Sequence, residues 1–205
     1  MPGPRIAVLE QTVAYDGYFQ IIRYRLRHRL FAGGMSPELI REVFERGQAV
    51  AVLPFDPERG EVVLVEQFRI GSVGVIHDPW LIEPVAGIIE PGERAPEVAR
   101  REAAEEAGLE LLDLVPACTY FASPGGSTET CQVFIGQVDA AGAGGIFGRS
   151  DEGEDIRVHV VPLLTALEWL DDGRIHAATT VVALQWLALH RAELEQRWRC
   201  GSAAE

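Results

Sequence analysis

Residues 87–109 read GIIEPGERAPEVARREAAEEAGL, a stretch that leaves room for little except a glycine loop feeding a helix of set length. Pro96 has the fixed φ that suits a first helical turn, where its missing N–H is not needed. From there to Ala107 the run of Ala, Arg and Glu favours helix, and Gly108 supplies the left-handed residue that ends it. Ala95 is a poor N-cap, because it brings no side-chain oxygen to the free N–H groups of the first turn. On this helix Glu102 and Glu106 lie four residues apart and Glu105 lies three from Glu102, so three carboxylates share one region of surface. Like charges at that spacing cost roughly a few tenths of a kcal/mol per pair. A solvated acidic face and a seat for a hard cation both account for the pattern. Gly87, at the end of an apolar strand, lets a ligand approach the backbone, and Gly92 turns the loop, which favours the cation. Carboxylate oxygens alone point to Mg2+ or Mn2+ rather than zinc.

Around this helix the chain alternates between strand and turn signals. Residues 12–30 form a hairpin signal with its turn at Asp16-Gly17. Past the turn, period two places Tyr18, Gln20, Ile22, Tyr24 and Leu26 on one face and Arg23, Arg25, Arg27 and Arg29 on the other. That arginine row reads either as a solvated face paired with carboxylates or as a phosphate contact. AVAVLPF and EVVLVEQFR flank a DPERG turn and predict two strands, and WLIEPVAG at 80–87 predicts another. Strands at 114–121 and 130–138 lead to the glycine-rich AAGAGGIFG, read as a flexible loop, and then to SDEGED. The strand IRVHVVPL precedes a short helix at 165–170 and an amphipathic one at 177–197 bearing Val181, Leu184, Leu187 and Leu194. There is no internal repeat.

With 205 residues, 47% of them hydrophobic, the chain can build a substantial core. No apolar run reaches the roughly 18 residues of a membrane span, and the first residues do not resemble a signal peptide, so a soluble cytoplasmic protein is expected. Three scattered cysteines suggest reduced, packed thiols. The net charge of −13 argues against nucleic acid and anionic membranes as partners. Such a chain can handle a diphosphate only by placing metals or a few arginines against it.

The 87–109 stretch resembles the box of the Nudix hydrolases, G-x5-E-x7-R-E-U-x-E-E-x-G-U with U apolar. Gly87, Glu93, Arg101, Glu102, Glu105, Glu106 and Gly108 stand at its fixed positions and Leu109 at the last U; Ala103, at the first U, is smaller than the usual aliphatic. The resemblance implies an α/β fold, the Nudix α/β/α sandwich with a mixed sheet. It also implies Glu102, Glu105 and Glu106 as metal ligands, with Arg101 and Glu93 pairing to hold loop to helix.

Further likeness, to the bacterial ADP-ribose hydrolases of that family, rests on DGYF (16–19), RHRLF (27–31), REVFERG (41–47), EQFR (66–69), ASPGGSTE (122–129) and EDIRVHVVP (154–162). It implies an N-terminal antiparallel β segment, residues 1–47, that swaps across a homodimer, followed by a hydrolase domain at 48–205. Tyr18 would stack on adenine, Arg41, Arg69 and Ser123 would contact the substrate, and Glu129 the terminal ribose. Each has a plainer reading as a packed aromatic or a surface ion pair. Two or three ions would be held by Glu102, Glu106 and the Ala86 carbonyl, supported by Glu105 and Glu154, with Glu152 as general base. The implied reaction is hydrolysis of ADP-ribose to AMP and ribose 5-phosphate. Its rivals are another nucleoside diphosphate sugar (ADP-glucose, GDP-mannose), a non-catalytic ADP-ribose sensor, and a sanitiser of modified nucleoside triphosphates. The sensor is opposed by the complete set of carboxylates and the lack of a DNA-reading segment. The sanitiser leaves the SPG segment and the long hairpin unexplained.

Overall fold

A computed structural model describes residues 4–149, 151 and 153–201. The chain forms two compact units, one from residues 1–48 with 121–130, the other from residues 49–120 with 131–205.

The first unit is a three-stranded antiparallel sheet of β1 (Ile6–Asp16), β2 (Gln20–His28) and β3 (Leu39–Glu45), in that order. The Asp16-Gly17 hairpin is present, and Gln20 donates to the Asp16 carboxylate at 2.9 Å across it. Two register shifts fall in β1, at Val8/Glu10 and Val13/Tyr15, while β2 keeps the expected alternation, with Ile22, Tyr24 and Leu26 more covered than Arg23, Arg25 and Arg27. On β2 the arginine face pairs with carboxylates: Arg23 with Glu42 at 2.6 Å, and Arg25 with Glu10 at 3.2 Å and Glu38 at 3.0 Å. Residues 121–130 are stitched to the end of β3. Phe44 donates its N–H to the Gly126 carbonyl, Thr128 donates back to Phe44, and Arg46 N–H donates to the Thr128 hydroxyl.

The second unit is α/β, with a large mixed sheet in the order β10-β11-β5-β4-β9-β8. These are β4 (Gln48–Asp56), β5 (Glu61–Phe68), β8 (Asp113–Phe121), β9 (Thr130–Gln137), β10 (Gly145–Phe147) and β11 (Ile156–Pro162). The stretches 49–55 of β4 and 62–65 of β5 are apolar without interruption because both faces of the sheet are covered there. Val50, Val52, Val63 and Val65 face one core with Val98, Ala99 and Ala103 of α1 (Ala95–Ala107). Ala51, Leu53, Phe55, Val62 and Leu64 face the other. There they meet Leu163 and Ala166 of α2 (Leu163–Asp171) and Ala183, Leu184, Leu187 and Trp198 of α3 (Ala178–Gly201). The sheet is thus sandwiched between helices. The turn joining β4 to β5 is held by buried Asp56, whose carboxylate accepts from the N–H groups of Glu58, Arg59 and Ala140. Among the described residues no helix is long and apolar enough to cross a membrane.

Two expectations change. WLIEPVAG is not one strand but two, β6 (Trp80–Glu83) paired with β5 and β7 (Val85–Ile88) paired with β4. Pro84, with no N–H to donate, stands at the break. β4 and β5 pair only at Phe55 with Val62 and Asp56 with Glu61. Beyond that point they fork, and the two short strands line the inner edges of the fork. The glycine-rich stretch is not wholly loop either: β10 lies within it and pairs with β11. Phe147 packs against the α1-side core, which its glycine neighbours obscure in a compositional reading.

Candidate functional site

The helix of the acidic motif begins one residue before Pro96, with Arg94 as an N-cap that makes no side-chain bond, and ends at Gly108 with φ of 64°. A Cβ on Gly108 would also sit 2.6 Å from the Phe147 ring, so the residue is fixed both by conformation and by space. At the other end of the motif Gly87 lies in β7 opposite Val50, and a Cβ there would collide with the Glu102 carboxylate. Glu102 therefore rests against bare backbone.

Glu106 is 4% exposed, and its carboxylate accepts from the Ala86 N–H at 3.1 Å. Burial pushes its carboxyl up to about 8; the Ala86 bond opposes this, Glu102 adds to it, Arg69 opposes and Glu154 adds. Burial likewise raises Glu102, against Arg101 and with Glu105 and Glu154. Glu102 thus feels the charge of Glu105 and Glu154, and Glu106 that of Glu102 and Glu154. Arg101 pairs with Glu102 at 2.8 Å, Glu105 at 3.4 Å and Glu93 at 3.7 Å. Partial burial works against its charge, but Glu102, Glu93 and Glu105 outweigh it and raise its pKa. The expected Arg101–Glu93 pair is present, yet Glu102 is the nearer partner. Glu93 also closes its own loop, accepting from the Glu90 N–H at 2.9 Å.

The donor set suits a hard divalent cation. Only oxygens are offered, Glu102 lies where a side chain at Gly87 would exclude it, and the desolvated carboxyls gain most from a cation that stabilises their charged form. Among the described residues no three acidic, His or Cys side chains already converge on one point, since Arg101 occupies Glu102 and Glu105.

The remaining candidates lie in both units. Arg69 follows β5 and donates from Nε to Glu83 at 2.7 Å. Glu154 accepts from the Arg149 N–H at 3.0 Å, and Arg149 also pairs with Asp151 at 2.8 Å. Glu152 lies outside the described residues. In the first unit Tyr18 is 91% exposed in the β1–β2 turn, with its ring edge-on to Phe19 at 4.7 Å. Arg41 is exposed on β3, donating to the Ile40 carbonyl. The Ser123 carbonyl accepts from Gly126 and Ser127 to turn the chain. Glu129 pairs with Arg46 at 3.8 Å, and the Arg46 guanidinium lies 4.5 Å over the Phe19 ring. Sequence reasoning passed over Arg46, Phe19 and Glu83. REVFERG and DGYF contain the first two, but nothing in their spacing marks a cation–π pair formed across a sheet.

A shallow cleft of about 290 Å3 in the second unit is lined by Glu66, Asp78, Trp80, Ile146, Asp155 and Arg157, and Asp155 directly follows Glu154. Residues 45–199 match the model of the NUDIX domain. Over 193 residues the chain is 50% identical to the ADP-ribose pyrophosphatase of Escherichia coli (strain K12), covering 94% of this chain and 92% of that protein. It is 35% identical to the GDP-mannose pyrophosphatase of Enterobacter sp. (strain 638), over 82% and 87% of the two chains. A crystal structure of an ADP compounds hydrolase superposes with a TM-score of 0.72 at 19% identity, covering 94% and 98%.

Proposed function

Because this chain belongs to the NUDIX family, we propose that it is a divalent-metal-dependent hydrolase that cleaves the diphosphate of ADP-ribose to AMP and ribose 5-phosphate. The chemistry is carried by one observation: buried Glu106 and half-buried Glu102 meet the charge of Glu154 beside a strand that has no side chain at Gly87. The substrate follows from the 50% identity with an ADP-ribose pyrophosphatase over nearly the whole chain; the GDP-mannose relative is more distant.

Glu102, Glu106 and the Ala86 carbonyl, supported by Glu105 and Glu154, hold two or three Mg2+ ions, with Mn2+ able to replace them. When bound, such ions neutralise phosphate oxygens and acidify water. Glu152 takes the proton from the attacking water. Arg69, Arg41 and Ser123 contact the substrate, Tyr18 stacks on adenine, and Glu129 contacts the terminal ribose. Residues 1–47 serve as a dimerisation segment that crosses to a second copy, and residues 48–205 form the hydrolase domain. The cytoplasm is the compartment this reading assigns.

Product analysis tests it. ADP-ribose, ADP-glucose and GDP-mannose are incubated with wild type and Glu106→Gln, with Mg2+ or with chelator. AMP and ribose 5-phosphate are expected fastest from ADP-ribose, only with Mg2+, and not with the variant. Turnover of another sugar nucleotide alone would discard the substrate, and binding without turnover of any would discard the enzyme.

A further inference from the structure

Gln67 is a polar side chain in a place that does not suit one. It is 6% exposed, and its amide nitrogen Nε2 is fully buried without a hydrogen-bond partner. It is the sole such side-chain atom among the described residues. A buried amide donor left unmade costs about 1–3 kcal/mol, so retaining one calls for a state in which it is satisfied.

Its position says where that state is. On β5, Val63 and Val65 face α1, and alternation puts Gln67 on the same face. Two residues further on the same strand line, Arg69 is near enough to Glu106 for its charge to act on that carboxylate. On the other side Gln67 pairs in register with Leu81 of β6, next to Ile82 and Glu83, and Glu83 holds Arg69. On α1, which packs against both β5 and β7, Glu106 is buried and has one hydrogen bond, from the Ala86 N–H of β7 to a single carboxylate oxygen. A buried donor with no acceptor therefore lies on the strand that α1 covers with a buried acceptor of spare capacity.

We propose that Gln67 is a positioning residue for Glu106, its amide N–H turning onto the free carboxylate oxygen when the site is loaded with a divalent cation. The inference rests on Glu106 as a metal ligand. Carboxylates that bind metal are commonly oriented by a second hydrogen-bond donor, whose loss weakens metal binding about 10- to 100-fold. Gln67 fills that description: a buried donor on the strand beneath α1.

Gln67→Met keeps the length of the side chain and removes both polar atoms. Mn2+ affinity by calorimetry and the Tm of the chelator-treated protein are measured for wild type, Gln67→Met and Glu106→Gln. The expected result is about a tenfold or greater loss of Mn2+ affinity in Gln67→Met, with a metal-free Tm equal to or above that of wild type. Unchanged Mn2+ affinity overturns the proposal. So does a lower metal-free Tm or a failure to fold, since either means that the amide already has its partner without metal. Glu106→Gln separates the two levels: if it binds Mn2+ as wild type does, Glu106 is not a ligand and the underlying reading fails with it. If Glu106→Gln loses Mn2+ and Gln67→Met does not, only the role of Gln67 falls.

Discussion

β1 and β4 are both strands of β-rich sequence, yet one is open to solvent along almost its whole length and the other is buried from Val50 to Asp56. The difference is in the residues between the large apolar ones. β4 puts an apolar group at every position from 49 to 55, which makes sense only if helices cover both faces. β1 places Glu10, Gln11 and Thr12 among its valines and leaves Ile6, Val8, Val13 and Tyr15 more than half exposed. A three-stranded sheet of that kind contributes little core beyond Ile22, and its ion pairs are exposed ones worth about 0–1 kcal/mol each. The chemistry divides in the same way. Carboxyls with raised pKa belong to the sandwiched unit, and the exposed aromatic Tyr18 belongs to the open one. Packing therefore separates a unit that can shift the properties of its side chains from one that can only present them.

The sharpest break of that contrast is in kinetics. Glu106→Gln in the sandwiched unit is expected to lower kcat by about a thousandfold or more, with KM for ADP-ribose changed far less. A steady-state profile in which KM alone moved would assign Glu106 to recognition instead.

Stability comes next. Leu184→Ala removes a fully buried side chain from the core under α3 and should cost about 2–5 kcal/mol in urea unfolding. Val13→Ala on exposed β1 should cost less than about 0.5 kcal/mol. Equal losses would mean that β1 is covered in solution.

The pH dependence of the metal-free protein follows from Glu106. The folded state keeps this proton up to about pH 8, whereas the unfolded chain releases it near 4.5. The stability it contributes is complete below the unfolded value and is lost as pH rises through the folded one, a change on the order of a few kcal/mol. Unfolding curves from pH 4 to 9 should show wild type weakening across this window and Glu106→Gln weakening much less, since Glu102 is also raised. Parallel curves would remove Glu106 as the source.

Among the kinetic effects, the smaller is expected at Tyr18. Losing a ring stacked on a base costs about 1–3 kcal/mol, so Tyr18→Ala should raise KM roughly tenfold and leave kcat nearly alone. A fall in kcat without a rise in KM would contradict a recognition role.

Much of the sandwiched unit was legible because its signals are local. The continuous apolar runs of β4 and β5, the DPERG turn and the Gly108 cap each mark their own element. The break at Pro84 was harder. The proline is visible, but its meaning depends on β4 and β5 having separated, which no window of the chain reveals. β10 was hidden by its glycines, although Phe147 has a core to reach. The carboxylates of α1 could be read from helical spacing. The depth of Glu106 could not, since burial depends on how β7 and β5 pack beneath the helix. Gln67 stands within EQFR at a strand end, and its burial without a partner for Nε2 emerges only from the fold.

The fork between β4 and β5 works like a zip stopped after two teeth, with Pro84 as the stop. Each arm keeps half of its hydrogen-bonding edge for a four-residue splint, so neither splint can lengthen without competing for the other's edge. The gap between the arms is therefore set by chain chemistry rather than by whatever fills it. Such an opening is built into the strand pairing itself, as a carpenter's notch is cut before the joint is assembled.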